Sequence, residues 1–300
     1  MLKTGFIGLG IMGRPMAKNL LKGGVELIVH DLDSQAVEDL KKAGAKSGTP
    51  QEIGAECPII FTILPNGPIV QSVLLGEDGV AAKLRKGAIV CDMSSVTPQE
   101  SRFCFEKLAE KGAGFVDAPV SGGEPKAIDG TLAFMCGGEQ KDFDALKPYF
   151  DIMGSSAILV GPCGSGSVTK LANQMIVNLT IAAVSEAFTL AVKGGADPEK
   201  VYQAIRGGLA GSAVLDAKIP MIINRNFKPG GKISINHKDI KNVLASAHAI
   251  DSPVFLSAML FEIMQALKVA GQMDEDHGSI VKFFERQAGV EVAKKSKGGQ

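Results

Sequence analysis

The sequence predicts an α/β fold: a doubly wound N-terminal domain over residues 1–163, then an all-α C-terminal domain over 164–300, joined by a long helix at about 167–193. Three observations carry this. Short apolar runs alternate with amphipathic segments through the first half, the pattern of parallel strands joined by crossover helices. A G-x-G-x-x-G stands between the first strand and the first helix. After Gly161-Pro162-Cys163-Gly164 the strand pattern stops, and Ser167 to Lys193 runs without Gly or Pro.

The elements follow in order. Leu2 to Ile7 reads as a strand, Met12 to Lys22 as a helix and Glu26 to His30 as a second strand. Ser34 to Ala43 reads as a helix, and Ile59 to Ile63 and Ala88 to Asp92 as buried strands. Thr49-Pro50-Gln51-Glu52 and Thr97-Pro98-Gln99-Glu100 each put Thr at an N-cap, Pro at the first helical position and Glu where it closes a capping box. Gly114 to Ala118, Leu132 to Cys136 and Ile158 to Val160 complete the strands. The long helix stops at Gly194-Gly195; at 1.5 Å per residue it spans about 40 Å, the length of a strut between domains. Beyond it come helical patterns at Pro198 to Ile205, Val214 to Ile223, Lys238 to Ile250, Pro253 to Ala270 and His277 to Ala288. The basic tail, Lys294 to Gln300, reads as a solvated terminus.

Composition narrows the function. Apolar residues make up 45% and charged residues 21%, and 32 basic side chains balance 32 acidic ones. That balance gives no global pull toward nucleic acid or a membrane, so neither is expected as a partner. Five cysteines at scattered positions (Cys57, Cys91, Cys104, Cys136 and Cys163) read as free thiols of a reducing compartment. The N-terminus enters a strand without a secretory leader, and no stretch reaches about 18 uninterrupted apolar residues, so a cytoplasmic protein is expected.

Gly8-Leu9-Gly10-Ile11-Met12-Gly13 occupies the context that gives its pattern meaning, a strand before it and a helix after. Gly8 suits a tight turn, Gly10 lets the backbone approach a pyrophosphate, and Gly13 lets helix and strand pack closely, as in a Rossmann-type site. Asp31, at the end of the second strand, is placed to accept the adenosine ribose hydroxyls and to repel a 2′-phosphate, and Leu32 follows where an NADP site would offer Arg. NAD is expected; NADP stays possible through Arg14 or Lys41.

Ligands of such sheets lie beyond the carboxyl ends of the strands. Leu64-Pro65-Asn66, Ser94-Ser95 and Ser121-Gly122-Gly123 all fall there. Ser-Gly-Gly suits a carboxylate, though it is also a common turn. Lys170 and Asn173 share one face near the start of the long helix. The lysine either snorkels to solvent or stands in a cleft, where it can pass a proton to a carbonyl oxygen as hydride reaches the carbon. His30, His248 and His277 have no acidic or thiol partners at metal-ligand spacing, so no metal is required; His237 only shapes the turn before Lys238. Asp274-Glu275-Asp276 reads as a solvated loop or the acidic start of the next helix.

Four motifs, Gly5 to Gly13, Asp117 to Gly123, Lys170 to Gln174 and His237-Lys238-Asp239, resemble the β-hydroxyacid dehydrogenases over nearly the whole chain, in order and spacing. The resemblance implies Lys170 as acid/base, Ser121, Gly122 and Gly123 as the seat of a substrate carboxylate, and Asn173 as its orienting group. It implies Lys238 and Ser95 at the cofactor, and a homodimer or homotetramer. Gln174 departs from the family, where many members have a second Asn. Segments 124–130, 206–218 and 226–230 lean toward members acting on tartronate semialdehyde and D-glycerate. The Gly-rich stretch with Ser212 would shape a small polar pocket; 3-hydroxyisobutyrate, 4-hydroxybutyrate and 2-(hydroxymethyl)glutarate remain open, as does a non-catalytic nucleotide-binding module.

Overall fold

The computed structural model describes residues 2–294. The chain divides after Leu171 into two compact units. The first opens with β1 (Thr4–Ile7), α1 (Gly13–Lys22), β2 (Leu27–His30), α2 (Ser34–Lys42), β3 (Lys46–Ser47), α3 (Pro50–Glu56), β4 (Ile59–Thr62) and α4 (Gly67–Leu75). It continues through β5 (Ile89–Asp92), α5 (Pro98–Ala109), β6 (Gly114–Asp117), β7 (Val120–Ser121), α6 (Gly123–Asp129), β8 (Leu132–Gly137), α7 (Gln140–Met153) and β9 (Gly154–Gly161). One sheet takes the order β3-β2-β1-β4-β5-β6-β8-β7, with β9 paired to β8. The pairings from β3 to β6 are all parallel, and β8 runs antiparallel to β6 and β7.

Register explains the two faces. Phe6, Val29, Phe61, Cys91 and Val116 are cross-strand partners and all belong to one core. The preceding row, Ile28, Ile60, Val90 and Phe115, belongs to the other core, with Gly5 among it. Strands buried on both faces are the mark of a doubly wound sheet, so their uninterrupted apolar runs are what that architecture demands. Gly5 has a packing reason: a Cβ there would sit 2.2 Å from Ile53 Cγ2 of α3. At the strand ends the row turns polar, with Thr62, Asp92 and Asp117 all buried.

The helix α8 (Ser165–Lys193) starts in the first unit and runs into the second. Length and mean hydropathy, 1.8 over its most apolar window, would by themselves suffice to cross a membrane. Its buried face nevertheless carries Gln174, Asn178, Ser185 and Thr189 among Ile181 and Phe188, the repeat of a helix seated in protein. The second unit adds α9 (Pro198–Ile205), α10 (Ala213–Ile223), α11 (Ile233–His248), α12 (Phe255–Val269), a 3-10 turn at His277–Ile280 and α13 (Val281–Ala288). Phe188, Tyr202, Leu215, Ile219, Ile222 and Val281 form its core.

Several elements depart from the sequence reading. β3, α4, β7, α6 and α7 carry weak signals: two strands of two residues, a helix capped by Asn66 inside an apolar run, a helix of 7 residues opening on Gly123 without a side-chain cap, and a helix with Pro148 in its interior and no side-chain cap. β9 is longer than its apolar centre, and α11 begins at Ile233 rather than Lys238, its start marked by no capping side chain. The expected last helix is split at its beginning, because Asp276 caps Gly278 N–H and winds a 3-10 turn first. Asp276 is buried rather than solvated: it accepts the N–H groups of Gly230 and Gly231 and pairs with Lys218 at 2.8 Å. Of the basic tail, Lys294 pairs with Glu199 at 3.1 Å; 295–300 lie outside the described residues.

Candidate active site

The glycine turn after β1 is built as its pattern requires. Gly8 has φ 99°, and a Cβ on it would fall 2.2 Å from the Ile63 carbonyl oxygen. A Cβ on Gly13 would fall 1.9 Å from the Gly8 oxygen, so α1 lies hard against the turn. At Gly10 a Cβ would meet nothing within 4 Å. Backbone thus faces open space where a ligand would approach. The start of α1 fits this: Met12, at its N-cap, gives no side-chain hydrogen bond, whereas α3 and α5 carry complete capping boxes. The free N–H groups of an uncapped helix start suit a pyrophosphate. These residues fit a dinucleotide.

Asp31 reaches back to the same turn. One carboxylate oxygen accepts the Leu9 N–H, and the other accepts Asp33 N–H at 2.7 Å. Leu32 beside it is 97% exposed. Arg14 lies 3.6 Å from Asp33, and Lys41 pairs with Glu38 at 2.6 Å, so both nearby cations have local acidic partners.

Beyond β4 and β5 the loops are tied together. Leu64 N–H donates to Ser94 Oγ at 2.8 Å, and Ser94 Oγ donates to Asp92 at 2.6 Å. Thr62 Oγ1 donates to the same Asp92 oxygen at 2.7 Å. Asn66 caps α4 by accepting the Ile69 N–H at 3.0 Å. Pro65 is exposed and Ser95 half-buried at these loop tips. Ser94 stands among the strand-end residues expected from the sequence, but the buried Asp92 beneath it does not; a polar residue closing an apolar strand is its one signal. Burial raises the Asp92 carboxyl above its ordinary range, against the pull of the Ser94 and Thr62 hydrogen bonds.

Ser121 ends β7, and Gly122 and Gly123 follow with φ 138° and 70°. Only glycine accepts two such angles in succession readily, so this turn is not a generic one. Lys170 stands half-buried near the start of α8. Asp117, not singled out by sequence reasoning, accepts the N–H groups of Gly164 and Ser167 there, each at 2.7 Å.

In the second unit, Asn173 donates its amide to Gln174 Oε1 at 3.0 Å, and Gln174 Nε2 donates to Asp239 at 2.6 Å. Lys238 Nζ lies 3.1 Å from Asp239. The Gln that departs from the family pattern is therefore the buried link between Asn173 and the Lys238-Asp239 pair. Ser212 Oγ accepts Leu215 N–H at 3.0 Å as the N-cap of α10, which gives the serine a structural use. His237 stacks on Phe261 and bonds Gln265, and His277 is bonded to Asn178.

A dinucleotide turn at a doubly wound sheet, followed by a helical unit, defines an NAD(P)-dependent oxidoreductase. Residues 3–161 match the family described as the NAD binding domain of 6-phosphogluconate dehydrogenase, and 164–284 the one described as NAD-binding of NADP-dependent 3-hydroxyisobutyrate dehydrogenase. The chain is 40% identical over 292 residues to 2-hydroxy-3-oxopropionate reductase of Escherichia coli (strain K12), covering 97% of this chain and 100% of that protein. It is 36% identical to 2-(hydroxymethyl)glutarate dehydrogenase of Eubacterium barkeri, covering 100% and 99%. A solved 3-hydroxyisobutyrate dehydrogenase of Mycobacterium tuberculosis with L-serine superposes with a TM-score of 0.88 at 27% identity, covering 94% of this chain and 98% of that one. The chain belongs to the β-hydroxyacid dehydrogenase family, of the 3-hydroxyisobutyrate dehydrogenase type.

Proposed function

We propose that this enzyme interconverts 2-hydroxy-3-oxopropanoate (tartronate semialdehyde) and D-glycerate, with NAD as the preferred nucleotide. The observation that carries the substrate is the 40% identity, end to end, with 2-hydroxy-3-oxopropionate reductase. Asp31 supports NAD, since a fixed carboxylate at the ribose end repels a 2′-phosphate and Arg14 and Lys41 already have acidic partners.

Hydride delivery to the aldehyde carbon is the chemistry a bound nicotinamide supplies. Ser121 and the backbone N–H groups of Gly122 and Gly123 hold the substrate carboxylate. The Lys170 ammonium gives its proton to the carbonyl oxygen as that oxygen gains charge, and the neutral amine takes it back in the oxidative direction. Asn173, on the same helix, orients the substrate oxygen. Lys238 and Ser95 would hold the cofactor, with Leu64, Pro65 and Asn66 lining its place, and the Ser212 hydroxyl proton stays available to a hydroxylated acid.

A screen of D-glycerate, 3-hydroxyisobutyrate, 4-hydroxybutyrate and 2-(hydroxymethyl)glutarate with NAD and NADP tests this. D-Glycerate with NAD should give the highest kcat/KM by at least about tenfold, or about 1.4 kcal/mol of transition-state binding. A faster glutarate would favour the second reading, to which the 36% identity points. Absence of turnover on every acid would leave a nucleotide-binding module. We also propose self-association, supported by Phe255, Leu256 and Met259 lying exposed together on α12. Light scattering on the eluting protein should give a dimer or tetramer mass; a monomer mass at micromolar concentration refutes it.

A further inference from the structure

We infer that Asp117 is a positioning residue for the proton transfer: its carboxylate locks the first turn of α8 and so fixes where the Lys170 amine stands. The inference rests on Lys170 as the proton donor. Asp117 closes β6 and is 1% exposed. Its Oδ1 takes the Gly164 N–H and its Oδ2 the Ser167 N–H, both at 2.7 Å. Lys170 follows Ser167 by three residues, less than one turn. Four residues after Asp117 the same chain segment reaches Ser121. One carboxylate thus indexes the helix of the donor against the strand that leads to the carboxylate seat.

The mount has no slack. A Cβ on Gly137 would lie 2.6 Å from Asp117 Oδ1 and 2.7 Å from Gly166 N. One on Gly166 would lie 2.3 Å from the Met135 carbonyl oxygen and 2.5 Å from that of Asp117. Ser167 Oγ and Ser101 Oγ meet at 2.9 Å in a buried contact that sets the roll of the helix. The ordinary device is different: α2, α3, α5 and α9 are capped by the residue before the helix, at Asp33, Thr49, Thr97 and Asp197, none of them buried. A buried carboxylate from another strand is a costlier cap than any of these, because an anion loses its hydration there. Its return is register between two separate parts of the site, and a proton transfer is sensitive to displacements of about 1 Å.

The groups around Asp117 are few. Cys91 of β5, Cys136 of β8 and Cys163 of the turn all have thiols pushed up by burial. Asp92, its cross-strand partner, is held by Ser94 and Thr62. Arg102 of α5 donates to the Cys163 carbonyl at 3.4 Å. Burial raises the Asp117 carboxyl to about 6, against the hydrogen bonds from Gly164 and Ser167. Once protonated it keeps a full acceptor for only one of the two N–H groups.

The test compares Asp117→Asn and Lys170→Met with wild type, using the acid and nucleotide turned over fastest in the screen above. Asp117→Asn should lower kcat by about tenfold to a hundredfold, with the substrate KM and the nucleotide Kd within about threefold. A loss confined to KM or Kd, or kcat within twofold of wild type, overturns the inference. In the reductive direction, where Lys170 serves as the ammonium and adds no acid limb of its own, wild-type kcat should also fall below about pH 6, and Asp117→Asn should lack that limb. Should the variant fail to fold, a wild-type reductive kcat that stays level from pH 7 to pH 5 overturns the inference by itself. Lys170→Met separates the two claims. If it still turns over, the proton-donor reading is wrong; if it is inactive while Asp117→Asn is normal, only the positioning role is wrong.

Discussion

Adding one methyl group at two glycines of the same turn should have opposite consequences. In Gly10→Ala the new Cβ meets no atom within 4 Å, and Gly10 is not among the glycines of positive φ. Folding should therefore be unharmed, and loss of unfolded-chain entropy should add about 0.4–1 kcal/mol. In Gly13→Ala the Cβ would stand 1.9 Å from the Gly8 oxygen and 2.9 Å from Ile63 Cγ2. The first of those is backbone and cannot swing aside, so an overpacking cost of about 1–3 kcal/mol applies, and the helix propensity gained offsets at most about 1. Thermal unfolding without nucleotide should show Gly10→Ala level with wild type or up to a few degrees above it, and Gly13→Ala several degrees below. Calorimetric titration with NAD should then invert the ranking of interest: Gly10→Ala weakens binding at least about tenfold, about 1.4 kcal/mol, because its methyl occupies the approach to the pyrophosphate. An unchanged Kd for Gly10→Ala would mean that the dinucleotide does not lie against this backbone.

Three other outcomes follow from the same geometry. Asp31→Asn should move the NADP-to-NAD ratio of kcat/KM toward NADP by about tenfold, since the repelling charge goes while one acceptor for the turn remains; an unchanged ratio refutes the role given to that charge. Burial, with the Lys218 charge second, lowers His277 to about 4 from 6.5. Between those values the unfolded chain binds the extra proton, so stability falls as pH drops through that window, by up to about 3 kcal/mol; His277→Gln should flatten the acid side of a Tm-against-pH curve, and an unaltered slope rejects the assignment. Ser121→Ala should raise the KM for the acid about tenfold, about 1.4 kcal/mol of lost carboxylate binding, while nucleotide Kd stays within twofold; a shifted nucleotide Kd would place the hydroxyl elsewhere.

What could be read in the sequence was what local chemistry spells out. The apolar rows of β1, β4 and β5, the capping boxes at Thr49 and Thr97, and the glycine turn with Asp31 each announce themselves within a few residues. The structural use of Asp117 and Asp92 is illegible at that range. Asp117 bonds partners 47 and 50 residues away, and the motif it opens marks the segment without showing that use. Asp276 was legible in part: it is the acidic N-cap of the following turn, as one reading of the sequence had it, but its inward bonds to Gly230, Gly231 and Lys218 join distant residues while Asp274 beside it stays exposed. α7 was hidden because an interior proline and a missing cap erase the usual start and stop marks.

The bare start of α1 carries a thermodynamic corollary. A helix end that waits for an anion leaves the nucleotide-free enzyme short of part of its own cohesion, and the nucleotide makes up the difference by mass action. At a free concentration one hundred times Kd the supplement is about 2.7 kcal/mol, a sizeable share of what holds a domain together. The lifetime of this protein against proteases is thereby coupled to the supply of the coenzyme it consumes, so that a cell depleted of dinucleotide would shed the enzyme along with its substrate flux.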